Sequence, residues 1–378
     1  MRIAVISNTS WSIYNFRRNL IAALLKEGHE VVAIGSFDKY LARLHAQGIS
    51  AVGVSFTREG TGLFRELRTV FGIRKALVQN KIEVVLSFTP KGNIYAALAS
   101  LRLGIKQIAN VSGLGSAFIR IDTLSLWILR LYWLAFRNAH HVFFQNEIDR
   151  EIFLIRRIVN SDKASRLPGS GVDLGYFAPV PIRRRREGEV TFLFFGRLLW
   201  DKGVHEFVEA SRIIHAEFPH ARFLLLGRIE EKKSEGPSWI RVRKWVQEDP
   251  IEYHGRVDDV RPYIGNADCV VLPSVYREGV PRTLLEAAAM GRPVIACDTV
   301  GCRDAVIPDL TGYLCQPRDA QDLAATMRRF IAIGHDGWQK MGLEGRQRMQ
   351  REFDEKFVIQ KYFQVLDNID GISEANPA

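Results

Sequence analysis

Short apolar runs rich in Val, Ile, Leu and Phe alternate with longer amphipathic stretches, and they do so in two successive series. No other feature constrains the fold as much. In the first series, Arg2–Ser7, Glu30–Gly35, Ile49–Val54, Glu83–Phe88, Lys106–Val111 and His141–Gln145 read as strands. Between them, Asn15–Gly28, Leu63–Gln79, Ile94–Leu103 and Leu124–Asn138 read as helices, the first with Leu20, Ala23 and Leu24 on one face and Gly28 as its stop. In the second series, Thr191–Phe195, Arg222–Gly227, Ile251–His254, Cys269–Pro273 and Pro293–Cys297 read as strands. Val204–Phe218, Val260–Ala267, Thr283–Gly291, Ala320–Ile333 and Gly337–Phe353 read as helices. Near-continuous apolar strands separated by helices mean mostly parallel sheets covered on both faces.

Between the series lies 178–189, APVPIRRRREGE, with two prolines and four consecutive arginines. It reads as a solvated linker, in preference to a nucleic-acid patch at Arg183–Arg186. The expected organisation is a Rossmann-like domain over 1–180, a linker over 181–189, a second such domain over 190–355 and a closing helix over 356–378. A chain of 378 residues is long enough for two domains. Two doubly wound units facing each other leave a cleft, with ligands at the carboxyl ends of the strands.

Charge divides unevenly. Residues 1–178 hold 23 basic and 12 acidic side chains, a net of +11, and the remainder nets −1. Such asymmetry implies an anionic partner for the first half. Arg65, Arg68, Arg74 and Lys75 lie among Leu63, Phe64, Leu67, Val70 and Phe71, and Arg130 and Arg137 among Trp127, Leu131 and Trp133. That interleaving suits an anionic membrane surface; solvated helix faces are the plainer alternative for any single helix. The apolar stretch Leu124–Phe136 is too short to span a bilayer and contains Arg130. MRIAVIS enters a strand at once with no leader, so a cytoplasmic protein is expected. The four cysteines (Cys269, Cys297, Cys302, Cys315) form no CxxC pair, and buried thiols in a reducing compartment are expected rather than zinc ligands.

Chemistry concentrates in the second half. Gly196-Arg-Leu-Leu-Trp-Asp-Lys-Gly203 follows a strand and opens a helix, where Arg197 and Lys202 suit a diphosphate lying against helix amides. An Arg197–Asp201 salt bridge is the structural alternative. Further on, Glu278-Gly-Val-Pro-Arg-Thr-Leu-Leu-Glu286 places one carboxylate in a loop after a strand and another one turn into a helix. Amides near Thr283 to Leu285 attract phosphate, Glu286 suits a ribose diol and Glu278 a sugar hydroxyl. Two surface glutamates are the alternative, and the upstream basic pair favours the functional reading.

The ordered set GRLLWDKG, HGRVDDV (254–260) and REGVPRTLLEAAAMGRPVIACD resembles a family 4 retaining glycosyltransferase of GT-B fold. FTPKGNIY (88–95) and NVSGLGSAF (110–118) are similar to the bacterial subgroup that extends undecaprenyl-diphosphate-linked sugars. The resemblance implies that Arg197 and Lys202 neutralise the leaving diphosphate and that Glu278 completes the catalytic set. It implies that Glu286 holds the ribose, and that Glu278 and the amides of Gly279, Val280 and Pro281 hold the donor sugar, with Gly196, Thr283 and Leu284 alongside. Arg256 and Val257 lie beside the base, and Gly113 and Gly115 approach the donor. The last helix returns to the first domain. For the acceptor, a polyprenyl-diphosphate-linked sugar, the candidates are Trp11, Tyr14, Asn15, Arg17, Lys91, Asn93 and Ser112, with Ser10 beside them.

Many relatives carry a histidine near the position of Ser112; this chain does not, and His140 and His141 read as structural. A leaving phosphate that takes the acceptor's proton needs no protein base. The donor is expected to be UDP-linked, and no acidic DxD cluster stands where a sheet edge would hold a metal, so no metal or cofactor is expected. Arg282 and Arg303 are placed to read an anionic sugar, a salt bridge to Asp304 or Glu278 being the equal alternative. Other readings are an epimerase, a transferase with a soluble acceptor, and a non-catalytic nucleotide-sugar-binding protein.

Overall fold

The computed structural model describes residues 1–56, 63–115, 123–186, 188–229 and 235–374, and it resolves into two compact units. The first comprises Met1–Leu167 and the chain from Val358 onward; the second is Pro168–Phe357.

The first unit runs β1 (Arg2–Ile6), α1 (Ser10–Phe16), α2 (Arg18–Lys26), β2 (Glu30–Ser36), α3 (Lys39–Ala46), β3 (Ser50–Val54), α4 (Leu63–Gln79), β4 (Val84–Phe88), α5 (Pro90–Ser100), β5 (Lys106–Val111), α6 (Thr123–Phe136), β6 (His141–Phe144), α7 (Glu147–Ile155) and β7 (Ala164–Arg166). Its seven strands are all parallel, in the order β3-β2-β1-β4-β5-β6-β7. Side chains alternate between two cores, as the strand period requires. Ala4 and Ile6 pack with Ile73 and Leu77 of α4, Tyr95 of α5 and Tyr132 of α6; Ile3 and Val5 pack with Leu20 and Leu24 of α2. Tyr362, Leu366 and Val358, from the chain's last helix, complete that second core. The helix expected over Asn15–Gly28 is two helices, because Arg17 leaves helical backbone at φ −129°, ψ −2°.

The second unit contains β8 (Thr191–Phe195), α8 (Val204–Glu217), β9 (Arg222–Leu226), α9 (Trp239–Glu248), β10 (Ile251–Gly255), α10 (Arg261–Asn266), β11 (Cys269–Leu272), α11 (Arg282–Ala289), β12 (Val294–Cys297), α12 (Cys302–Ala305), β13 (Gly312–Cys315), α13 (Ala320–Ala332) and α14 (Gly334–Arg348); α15 (Glu355–Glu374) begins at its end. Its parallel sheet has the order β10-β9-β8-β11-β12-β13. Strand order reverses between β1 and β4 in one unit and between β8 and β11 in the other, which is where doubly wound sheets bind ligands.

The linker expectation needs correction. Pro168, not residue 190, opens the second unit, and 178–189 belongs to it. Arg292 is wholly buried and donates to the carbonyls of Val180, Pro181, Ile264 and Gly265. Arg185 pairs with buried Asp268 at 2.5 Å, and Ile182 joins the core. A proline- and arginine-rich stretch looks solvated in sequence, yet long-range partners fix it here.

Candidate functional site

The second unit gathers its candidate residues at its reversal point. β8 ends at Phe195 and delivers Gly196 and Arg197; a short 3₁₀ turn, Trp200–Lys202, precedes α8. β11 ends at Leu272 and delivers the loop carrying Glu278. Gly203 joins the two. It takes φ +77°, and a Cβ there would lie 2.1 Å from the Pro273 carbonyl oxygen, so only glycine permits this approach. The Asp201 carbonyl accepts from the N–H groups of Val275 and Tyr276, each at 2.8 Å, locking one loop onto the other.

Within this frame the Lys202 ammonium pairs with the Glu278 carboxylate. Both are largely buried, at 10% and 21% side-chain exposure, so the pair sits in a reduced dielectric. The two residues expected to touch diphosphate and sugar thus touch each other. Glu278 also acts on its surroundings: burial first, then its negative charge, push the Cys302 thiol up to about 12. Arg197 is exposed, and its guanidinium lies 5.5 Å from the ring centroid of Tyr276. Lys202 Nζ lies 5.1 Å from the same centroid. The alternative Arg197–Asp201 pair is not formed: Asp201 meets Arg318 at 3.4 Å.

Glu286 projects from α11, where Arg282 one turn earlier donates to it at 3.0 Å. Burial raises the Glu286 carboxyl above its ordinary range, and the Arg282 charge opposes that rise. Arg282 therefore meets Glu286, while Arg303 pairs with Asp298 at 2.6 Å. Thr283 Oγ1 donates to the Phe195 carbonyl, tying α11 to the end of β8. The N–H groups of Leu284 and Leu285 close on the Pro281 carbonyl and are not free for a phosphate. Pro281 has no N–H to donate, which corrects its expected role; it supplies the helix cap position instead. Among the described residues, the N–H groups of Gly279, Val280 and Thr283 have no hydrogen-bond partner. Gly301, at φ +84°, lets its backbone press on this loop, its would-be Cβ 2.1 Å from the Gly279 oxygen. Arg256 is exposed and Val257 packs partly on the core, both directly after β10; Gly227 N–H donates to Gly255 O and Gly196 N–H to Leu226 O, so the three loops are laced side by side.

The first unit disposes its candidates differently. Trp11 is 38% exposed and meets Phe16 edge-on, while Asn15 turns back to the Trp11 carbonyl. Tyr14 packs against Tyr40. Ser10 is buried, its hydroxyl on the Ser36 carbonyl. Arg17 is buried, with its guanidinium 4.0 Å from the Phe88 ring centroid. Lys91 pairs with Glu66 at 2.8 Å, and Tyr95 donates its hydroxyl to the same carboxylate. Asn93 needs correction: it is wholly buried and donates to the Asn110 carbonyl, while its own carbonyl accepts from Gln107. It holds α5 to β5, and its Oδ1 is buried without a hydrogen-bond partner. Ser112 is half-buried after β5, and Gly113 and Gly115 follow in left-handed backbone; Ser116 to Phe118 of that motif lie outside the described residues. His141 bonds Ser165 at 2.7 Å, and burial lowers it to about 4, so it is a neutral structural group at neutral pH.

Sequence reasoning passed over Tyr276 and Glu66. An aromatic two residues before Glu278, in a loop leaving a central strand, was the available signal for the first. Nothing local marks the second, since its partners come from α5. Among the described residues no three His, Cys, Asp or Glu side chains are grouped to hold a metal ion, and no helix is long and apolar enough to cross a membrane.

Comparison with known proteins agrees with this layout. Residues 189–332 match the family model described as glycosyl transferases group 1, and 2–146 match glycosyl transferase 4-like. The chain is 28% identical to the N,N'-diacetylbacillosaminyl-diphospho-undecaprenol alpha-1,3-N-acetylgalactosaminyltransferase of Campylobacter jejuni, covering 98% of this chain and 99% of that one. It is 24% identical to the putative glycosyltransferase EpsD of Bacillus subtilis over 81% of this chain and 80% of the relative. Among solved structures, sucrose-phosphate synthase from Thermosynechococcus elongatus aligns with a TM-score of 0.82 at 22% identity, covering 98% and 100% of the two chains. Anabaena HepE in complex with UDP and glucose aligns at 0.77 and 16% identity, covering 97% and 99%. The architecture is α/β of the GT-B class.

Proposed function

The chain belongs to the group 1, 4-like glycosyltransferases, and from that premise we propose that it moves a hexose-type sugar from a UDP-sugar to a polyprenyl-diphosphate-linked sugar with retention of configuration, in the assembly of a bacterial surface glycan. One observation carries the reading. Lys202 of the loop after β8 meets Glu278 of the loop after β11, with Arg197 against the same Tyr276 ring and Glu286 on the helix that follows, where the second sheet reverses its order.

In the proposed reaction the bond between the sugar's anomeric carbon and the diphosphate oxygen breaks. A bond to the acceptor hydroxyl oxygen forms on the same face, and the acceptor's proton passes to the departing phosphate. Arg197 and Lys202 stabilise the growing negative charge, helped by the unengaged amides of Gly279, Val280 and Thr283. Preorganised donors of this kind each contribute roughly 10²–10³ in rate. Glu278 leaves Lys202 for a sugar hydroxyl once the diphosphate neutralises the ammonium. Glu286, paired with Arg282, accepts from the ribose diol, and Arg256 and Val257 flank the base.

The first unit takes the acceptor. Phe64, Phe71, Trp127 and Trp133 are exposed on α4 and α6, among exposed Arg65, Arg68, Lys75, Arg130 and Arg137. Aromatic and basic side chains in this mixture favour peripheral binding to an anionic bilayer, where a polyprenyl-linked acceptor resides. The lipid-linked substrate in the name of the Campylobacter relative supports this choice over a soluble acceptor.

The test is a panel of UDP-sugars, each with and without a polyprenyl-diphosphate sugar, measuring free UDP and glycosylated lipid. Release of UDP that depends on the lipid acceptor is expected. Binding of UDP-sugar with no turnover on any acceptor would reduce the protein to a carrier; turnover on soluble sugars alone would remove the lipid.

A further inference from the structure

The Tyr276 ring faces both cations of the site. Lys202 Nζ and the Arg197 guanidinium lie 5.1 and 5.5 Å from its centroid, inside the range over which a cation is drawn to an aromatic face. Both cations are thus set against one ring. Lys202 has Glu278 to offset its charge. Arg197 makes no ion pair among the described residues, and the carboxylate beside it in sequence, Asp201, is turned to Arg318. The ring is what Arg197 is set against.

Tyr276 is also held firmly enough to serve as a platform. Its N–H donates to the Asp201 carbonyl at 2.8 Å and to Ser274 Oγ at 3.2 Å, and the Asp201 carbonyl belongs to the turn that carries Lys202. The ring and both cations therefore stand on one hydrogen-bonded frame. Among the described residues the phenol hydroxyl makes no hydrogen bond, so the aromatic face is the part in use.

We infer that Tyr276 is a positioning residue: its aromatic ring holds Arg197 and Lys202 in place, so that the leaving diphosphate meets a ready-made pair of cations. This rests on the proposed diphosphate role of those two residues and adds to it the group that arranges them. The ring's quadrupole steadies each cation where it stands, and no reorganisation of the pair is then needed as charge develops. Other aromatic shapes would fill the same space, but only an electron-rich face would hold the charges.

The experiment separates shape from electrostatics. Tyr276→Phe is made first, then phenylalanines with one, two and three ring fluorines are placed at position 276, which keep the shape while draining the negative face. Release of UDP at saturating donor and acceptor is measured, with Lys202→Ala alongside. Tyr276→Phe is expected to stay within about two-fold of the parent, and the trifluorinated ring to lose about ten-fold through a graded series. A flat series, with Lys202→Ala inactive, overturns the platform and leaves the site reading standing. Full activity in Lys202→Ala overturns the site reading itself. Loss of activity in Tyr276→Phe shifts the role to the hydroxyl and overturns the assignment to the ring.

Discussion

Lys202 and Glu278, 76 residues apart in the chain, form one largely buried ion pair where two neighbouring central strands of the second sheet end. Removing either partner leaves the other charged and partly desolvated, which destabilises the fold and, in the proposed site, also disables transfer. Lys202→Ala and Glu278→Ala are each expected to lower kcat roughly 10²–10³-fold. Each also costs about 1 to 3 kcal/mol of stability by thermal or urea unfolding. The double variant Lys202→Met/Glu278→Leu should recover most of that stability and none of the activity; recovery of activity would break the link drawn here.

Arg282 controls the protonation of Glu286. Burial holds that carboxyl above its ordinary range and Arg282 pulls it back down. In the proposed site the charged form accepts from the ribose diol, so donor KM is expected to rise as pH falls through the folded-state value. Without Arg282 that value moves up, and in Arg282→Ala the acid-side rise in KM should begin at a higher pH. Stability runs the opposite way. A carboxyl raised on folding stabilises most below its unfolded value, and that contribution fades as pH rises through the folded one. Parallel KM–pH profiles for parent and variant would contradict the assignment.

Exposed aromatics and arginines on α4 and α6 make a prediction about surfaces. The protein should float with vesicles containing anionic lipid at low salt and detach as salt rises, because exposed charges are screened within a Debye length of about 8 Å at physiological ionic strength. Arg68→Glu/Arg130→Glu should abolish flotation, and Phe71→Ser/Trp127→Ser should weaken it while leaving transfer to a detergent-dispersed acceptor intact. Equal flotation of parent and variants would remove this face from membrane binding.

Transfer is expected to persist in excess chelator, since Arg197 and Lys202 are assigned the charge neutralisation that a divalent ion performs elsewhere. Activity that vanishes with chelator and returns with magnesium or manganese would require a metal in the donor complex.

Much of the fold is legible in the sequence because its causes are local. The alternation of Ala4, Ile6 against Ile3, Val5 is a property of adjacent residues, and it dictates a strand with two buried faces. Gly196 and Gly203 bounding the loop after β8 and a Pro–Arg–Thr helix start after β11 are likewise local, so Arg197, Lys202, Glu278 and Glu286 could be named as candidates from the sequence. Tertiary structure decided who meets whom. The arginine-rich stretch after residue 180 became part of the second unit because Arg292, 112 residues from Val180, carries five N–H donors into a ring of carbonyls. Asn93 became an internal tie because α5 lies over β5. Lys202 chose Glu278, and Tyr276 came to face two cations, because β8 and β11 are neighbours in the sheet though distant in the chain. Periodicity encodes which face of an element is buried; it does not encode which element lies against that face, and charge partners are set by the latter.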